Sequence, residues 1–395
     1  MRLLLAAYFY EAPAGGGIIV ARMLREQLAA RGHTVDVLCL DGSPETQPGT
    51  VWRLPRPAWL PVSTDRFRQI LLFLNHRSFD RHFLNAAWRL PLAQQRYDFV
   101  LAQDFLGMRV ARNLADRLGV PCGGTLHDTL PQQVEVGAPN AVVRGVLRRL
   151  SRRRDADLRP DLCHFDWLAA VSRHVQASAQ EWLGSQAPPI DVFHNPVPPA
   201  FAGTAAELPP GPLRFLFVGR LSPEKGVDVL VDSFRQNPGP QRLTVIGLAG
   251  SLADRIRQAA AADPRIELHP AVPYSRMPEV YAAHHVVCCP VHWNEPFGLT
   301  VLEGRVTRRA VIGTRQGGLP EILEGYPRAH LLDPTPDRAQ RVQTLAAALA
   351  GAAERVQRPL NLKTEAAFLR RFELSTVVDR YEERIRGSLN TRPGS

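Results

Sequence analysis

Residues Leu213-Arg214-Phe215-Leu216-Phe217-Val218-Gly219-Arg220-Leu221-Ser222-Pro223-Glu224-Lys225-Gly226 carry the architecture in miniature. Leu213–Val218 is an unbroken apolar run, the pattern of a strand buried on both faces. The chain then turns through Gly219, with Arg220 and Lys225 flanking the turn. A helical period follows over Lys225–Arg235, where Val227, Leu230, Val231 and Phe234 recur at i, i+3, i+4 and i+7. Buried strand, turn, helix is the repeating unit of a parallel sheet covered by helices.

The unit repeats outward in both directions. Downstream, Leu243–Ile246, Ile266–Leu268, Val286–Cys289 and Ala310–Ile312 read as short buried strands, and Thr364–Arg386 as one terminal helix. Upstream, residues 2–9 read as a first strand. Gly15-Gly16-Gly17 then opens a helix whose apolar positions are Val20, Leu24 and Leu28. Further strands are expected at Thr34–Leu40, Phe99–Ala102, Cys122–Leu126 and Leu168–Val171. Between the two series lie Pro188, Pro189, Pro196, Pro198, Pro199, Pro209, Pro210 and Pro212. Proline neither propagates a helix nor donates to a central strand, so a linker is expected there. The reading is α/β, with two doubly wound Rossmann-like domains. Residues 1–196 form the first, 197–212 a proline-rich linker, 213–365 the second domain, and 366–395 a C-terminal helix packing back on the first.

Bulk properties fit this. The chain has 395 residues, 45 % hydrophobic and 22 % charged, ample for two packed cores and unlike a disordered chain. Lys plus Arg total 48 against 38 Asp plus Glu, a net charge of +10. Such a surface attracts anions. Nearly all the excess is Arg in an Ala-rich, Lys-poor chain, so base composition of the genome accounts for it as well as function does. Cys39, Cys122, Cys163, Cys288 and Cys289 are scattered, without zinc spacing, and read as small core residues in a reducing cytoplasm. No signal peptide or apolar run of about 18 residues is visible.

Three segments point to chemistry. Gly15-Gly16-Gly17 between strand and helix lets backbone N–H groups approach an anion, although it lacks the spacing of a dinucleotide fingerprint and also reads as a plain tight turn. Arg220 and Lys225 at the carboxyl end of a parallel strand suit a diphosphate. Glu295-Pro296-Phe297-Gly298-Leu299-Thr300-Val301-Leu302-Glu303 sets two carboxylates eight residues apart. Pro296 and Gly298 imply a turn, a helix begins near Leu299, and both carboxylates are expected to face one crevice, where they would accept from paired sugar hydroxyls.

That last segment resembles the Glu–x7–Glu motif of retaining glycosyltransferases of family four, whose GT-B fold sets two such domains facing a central cleft. Gly219-Arg220 with Lys225-Gly226, Gly317-Gly318-Leu319-Pro320-Glu321, Ala170-Val171-Ser172 and His194-Asn195-Pro196 resemble further family segments, in order along almost the whole chain. The resemblance implies a nucleoside diphosphate sugar as donor, UDP- or GDP-linked, a hydroxyl acceptor, and no metal or other cofactor. It implies that Arg220 and Lys225 neutralise the leaving diphosphate, Glu303 accepts from ribose hydroxyls and Glu295 contacts the donor sugar. Phe297, Gly298 and Leu299 would offer backbone N–H groups, and Gly16 and Gly17 would close over the phosphates. His127, in Thr125-Leu126-His127-Asp128, would lie near the reacting sugar, with Asp128 beside it.

Some features depart from the family. Gly304-Arg305-Val306-Thr307-Arg308-Arg309-Ala310 carries three arginines where small residues, then Gly and Pro, are usual, and the loop Tyr10–Ala14 is unusual. Val143, Val146, Leu147 and Leu150 form one stripe of a basic helix near Arg144–Arg154. The stripe is read as facing the core, with contact to anionic lipid on the cytoplasmic membrane face as the alternative. Two other functional classes compete with this reading. A sugar-nucleotide epimerase on the same fold would need an acid/base set that is not visible. A basic nucleic-acid-binding protein would leave the two glutamates unexplained.

Overall fold

The computed structural model describes residues 1–7, 10, 16–39, 51–54, 75–105, 107–132, 141–204, 207–248 and 250–391. Gly15 and the loop 11–14 lie outside these residues. The chain divides into two compact units, Met1–Pro196 with Leu374–Ser395, and Val197–Glu373.

The first unit holds a wholly parallel seven-stranded sheet. Its strands are β1 (Arg2–Ala6), β2 (Thr34–Cys39), β3 (Val51–Arg53), β4 (Phe99–Ala102), β5 (Cys122–Leu126), β6 (Trp167–Ala170) and β7 (Ile190–Val192), in the order β3-β2-β1-β4-β5-β6-β7. Leu3 and Leu5 of β1 join Leu24 and Leu28 of the helix Gly16–Ala30, Phe99 and Trp167 in one core cluster. The Trp167 ring lies 5.8 Å from Phe99 and would stand 2.4 Å from a Cβ at Gly123, so β5 can carry no side chain there.

The second unit holds a parallel six-stranded sheet. Its strands are β8 (Arg214–Arg220), β9 (Arg242–Leu248), β10 (Ile266–His269), β11 (Val286–Cys289), β12 (Ala310–Thr314) and β13 (Ala329–Leu332), in the order β10-β9-β8-β11-β12-β13. The order reverses between β8 and β11, and ligands of open α/β sheets bind at such a switch point, outside the carboxyl ends of the strands. Phe215, Leu243, Val286 and Ile312 fill the core between this sheet and Leu230 and Phe234 of the helix Val227–Arg235.

Several local expectations are corrected. The second unit's first helix begins at Val227, not Lys225. Pro223–Lys225 is a 3-10 turn, and Gly226 at φ 72° breaks the helical path. The linker is no free spacer: from Val197 on it belongs to the second unit, and Phe201 of the turn Pro199–Phe201 is fully buried there. The terminal helix is two helices, Leu362–Leu369 and Leu374–Asn390. Between them Glu373 turns extended and the Phe372 carbonyl accepts from the Val197 N–H at 2.7 Å. The short strands β3, β7 and β13 carry too few residues to show a pattern in sequence.

Candidate active site

In the second unit, three loops meet at the carboxyl ends of β8, β11 and β12. Gly226 fixes the first against the second. A Cβ there would fall 1.9 Å from the Pro290 carbonyl oxygen, and the His292 N–H donates to the Glu224 carbonyl at 2.8 Å. Gly317, at φ 63°, fixes the third: a Cβ would fall 2.1 Å from the Glu295 carbonyl oxygen, which accepts from the Gly318 N–H at 2.8 Å.

These approaches bring Lys225 and Glu295 together across 70 residues of sequence. Lys225 Nζ donates to Glu295 Oε2 at 2.5 Å, Trp293 Nε1 donates to the same oxygen at 2.8 Å, and the ammonium lies 4.8 Å from the centre of the Trp293 ring. Lys225 therefore meets a carboxylate before it meets any phosphate. Glu295 Oε1 makes no hydrogen bond among the described residues and remains an acceptor. Arg220, at the end of β8, is exposed and makes no ion pair among the described residues. Phe297 is buried against Phe372, with ring centres 6.0 Å apart. Gly298, at φ 101°, caps the helix Leu299–Val306, and its carbonyl accepts from the Val301 and Leu302 N–H groups at 3.0 and 3.2 Å.

Glu303 is the main correction. It does not face open space with Glu295. It is 3 % exposed, on the inner side of its helix, where the hydroxyls of Tyr274 and Tyr281 donate to Oε1 and Oε2, each at 2.5 Å. Burial pushes its carboxyl up to about 7, and the two phenol donors hold it from going higher. Neither tyrosine belongs to a motif. Only the helical spacing of Tyr281 with the apolar residues of the helix Met277–Ala282 marks it as inward-facing.

The unusual arginines are structural. Arg305 is fully buried and makes a bidentate pair with Glu365 at 2.9 and 3.0 Å, while it donates to the Ile322 and Glu324 carbonyls. Arg309, also fully buried, donates to the carbonyls of Thr307, His284 and Glu207. Arg308 takes φ 61°, a left-handed conformation that favours glycine.

In the first unit, Gly17 and His127 come together at the carboxyl ends of β1 and β5. A Cβ at Gly17 would lie 3.3 Å from the His127 ring. Gly16 is exposed at the start of its helix. The imidazole faces Gln103 Oε1 at 3.4 Å, and Asp128 accepts from the Gln132 side-chain amide at 2.9 Å. Burial pushes His127 down to about 4, which keeps the ring neutral at physiological pH.

The basic helix spans Ala141–Cys163. Its later half buries Leu158 and Leu162, but of the predicted stripe only Leu147 is buried; Val146 is 45 % and Val142 75 % exposed. No helix among the described residues is long and apolar enough to cross a membrane.

Comparison with known proteins follows the same division. Residues 14–201 match the model described as Glycosyltransferase Family 4, and residues 204–359 the model described as Glycosyl transferases group 1. A D-inositol 3-phosphate glycosyltransferase of Acidothermus cellulolyticus is 30 % identical over 346 residues, covering 81 % of this chain and 75 % of the relative. One of the same name from Segniliparus rotundus is 29 % identical over 69 % of this chain, and the match spans 61 % of that relative's length. Among solved structures, sucrose-phosphate synthase of Thermosynechococcus elongatus superposes with a TM-score of 0.76 at 21 % identity, covering 99 % of this chain and all of that one. Anabaena HepE in complex with UDP-glucose gives 0.63 at 16 % identity, covering 98 % of this chain and 100 % of that one. The fold is that of the GT-B glycosyltransferases, and the chain belongs to glycosyltransferase family 4.

Proposed function

We propose that this chain moves a glycosyl group from a nucleoside diphosphate sugar to an acceptor hydroxyl with retention of configuration, and that its second unit holds the donor. The observation that carries this is the Lys225–Glu295–Trp293 cluster beside the exposed Arg220, at the carboxyl ends of strands flanking the switch point. As the glycosidic bond breaks, negative charge grows on the departing phosphate. Arg220, paired with no carboxylate among the described residues, is available to that charge. Lys225 joins it once the donor's hydroxyls engage Glu295 and loosen the ion pair. Interactions that strengthen as charge develops lower the barrier. The departing phosphate takes the acceptor proton, so no enzymatic base and no metal is required. The neutral His127 beside Gly17 hydrogen-bonds the reacting sugar, and the first unit takes the acceptor.

UDP is the first nucleotide to test, since the Anabaena fold neighbour is in complex with UDP-glucose; GDP is the second. The names of the relatives make a phosphorylated inositol the first acceptor to assay. Calorimetric titration of UDP, GDP, ADP and TDP without divalent metal is expected to show micromolar binding of one nucleotide, lost in Arg220→Ala. Binding of none, with or without magnesium, would sink the reading. NMR of the product's anomeric proton then tests retention.

A membrane contact is proposed for the helix Ala141–Cys163 as well. Val142 and Val146 are exposed beside Arg144, Arg149, Arg152 and Arg153, none of which makes an ion pair among the described residues. Sedimentation with phosphatidylglycerol vesicles, but not with phosphatidylcholine vesicles, is expected, and Arg149→Glu/Arg153→Glu should abolish it.

A further inference from the structure

The Lys225–Glu295 pair has a third member in Trp293. The lysine and glutamate side chains are 21 % and 14 % exposed, so the pair stands where a ligand can reach it. Trp293 Nε1 donates to Glu295 Oε2, the same oxygen that accepts from Lys225 Nζ, and the indole face lies under the ammonium. The Glu295 N–H donates to the Trp293 carbonyl at 2.8 Å, a tight turn that sets indole and carboxylate side by side. The backbone is fixed on either side of this turn, at the His292 N–H by the Glu224 carbonyl and at the Glu295 carbonyl by the Gly318 N–H. The carboxylate is therefore presented to Lys225 with no ligand needed to place it. An ammonium has three donors. One of them goes to Glu295, and the other two, like Glu295 Oε1, have no partner among the described residues. A phosphate that takes those two donors shares the ammonium with a carboxylate of its own sign, which repels it. A sugar hydroxyl donating to Oε1 spreads the carboxylate's charge and weakens both its hold on Lys225 and that repulsion.

We infer that Trp293 is a positioning residue that holds Glu295 against Lys225, so that the carboxylate competes with a nucleoside diphosphate for the ammonium. The inference rests on the donor site proposed above and deepens it. An intact donor brings hydroxyls to Glu295 and phosphates to Lys225 together, and gains the full ammonium. Once the sugar has moved to the acceptor, its hydroxyls leave Glu295, the carboxylate takes Lys225 back, and the nucleoside diphosphate is released. The site thus discriminates against its own product.

The test is calorimetric binding of UDP and UDP-glucose, or of the matching pair for the base that wild type prefers, to wild type, Trp293→Phe and Glu295→Gln, without acceptor. Wild type should bind the sugar nucleotide more tightly than the diphosphate. Glu295→Gln removes the competing charge in the same shape. Trp293→Phe removes the indole N–H and leaves a ring under the ammonium; Trp293 is partly exposed, so the variant does not empty a core position. In both variants the diphosphate should bind about threefold or more tighter, the scale of a partly exposed ion pair, and the preference for the sugar nucleotide should narrow. A merely structural role would weaken both ligands alike or change neither, which would overturn the inference and spare the donor site. So would a wild type that holds the diphosphate as tightly as the sugar nucleotide. Tightening in Glu295→Gln alone would leave Trp293 without the role and overturn the inference as well. No nucleotide binding by wild type would overturn both the inference and the donor site.

Discussion

Glu303 is an acid whose burial can be read out by pH. Below about pH 4.5 it is protonated folded or unfolded. Between about 4.5 and 7 the unfolded chain has released the proton and the folded chain retains it. The folded state then binds more protons, so raising the pH across this window costs stability. Urea unfolding of wild type and Glu303→Gln is expected to show the variant gaining relative stability from pH 5 to 7.5, with the difference flat above that. A constant difference would place the carboxylate in water. Arg305 makes a second prediction. Its guanidinium is paired with Glu365 and lies 3.5 Å from the centre of the Phe368 ring. Arg305→Met leaves the Glu365 carboxylate buried and unpaired and should cost about 3–5 kcal/mol. Arg305→Met/Glu365→Leu should recover much of that loss in the same unfolding experiment.

The loop between β8 and its helix works as one piece with the loop after β11, because Gly226 admits the Pro290 carbonyl where any other residue has a Cβ. Gly226→Ala has to push that carbonyl away and hold an alanine at positive φ. About 1–2 kcal/mol of strain is expected for the backbone alone, and more for the displaced loop. The displaced loop carries Glu295, so affinity for the sugar nucleotide should fall with stability in this variant; retained affinity would uncouple the loop from the donor site. The helix Leu299–Val306 repeats this economy. Gly298 starts it, Glu303 faces inward to two tyrosines, and Gly304 lets Val287 of β11 approach to 3.0 Å of where a Cβ would stand.

The first unit is completed by the last helix of the chain. Val378, Tyr381 and Ile385 of Leu374–Asn390 are buried in its core, the Tyr381 hydroxyl meets Thr125 Oγ1 at 2.8 Å, and Arg31 pairs with Asp379 and Glu382. Truncation after Glu373 removes three large core side chains, each worth about 2–5 kcal/mol. Circular dichroism and light scattering should show the first unit molten or aggregated, whereas truncation after Asn390 should be neutral.

The alternation of strand and helix and the division into two units are legible in sequence, and Lys225 and Glu295 stand out there as candidates, because apolar period, proline placement and glycine turns act over a few residues. The same locality explains the errors. The apolar period predicts a helix through Lys225 and another through Arg370–Glu373, where a left-handed glycine and a carbonyl bond to Val197 interrupt it. Tertiary structure alone decided that Lys225 meets Glu295, that Glu303 points into the core, that Arg305 and Arg309 are buried, and that Val142 and Val146 are not. Each of these depends on which side chains stand opposite across 20 to 100 residues of chain. Burial and charge pairing are set by that packing, and no window of sequence contains it.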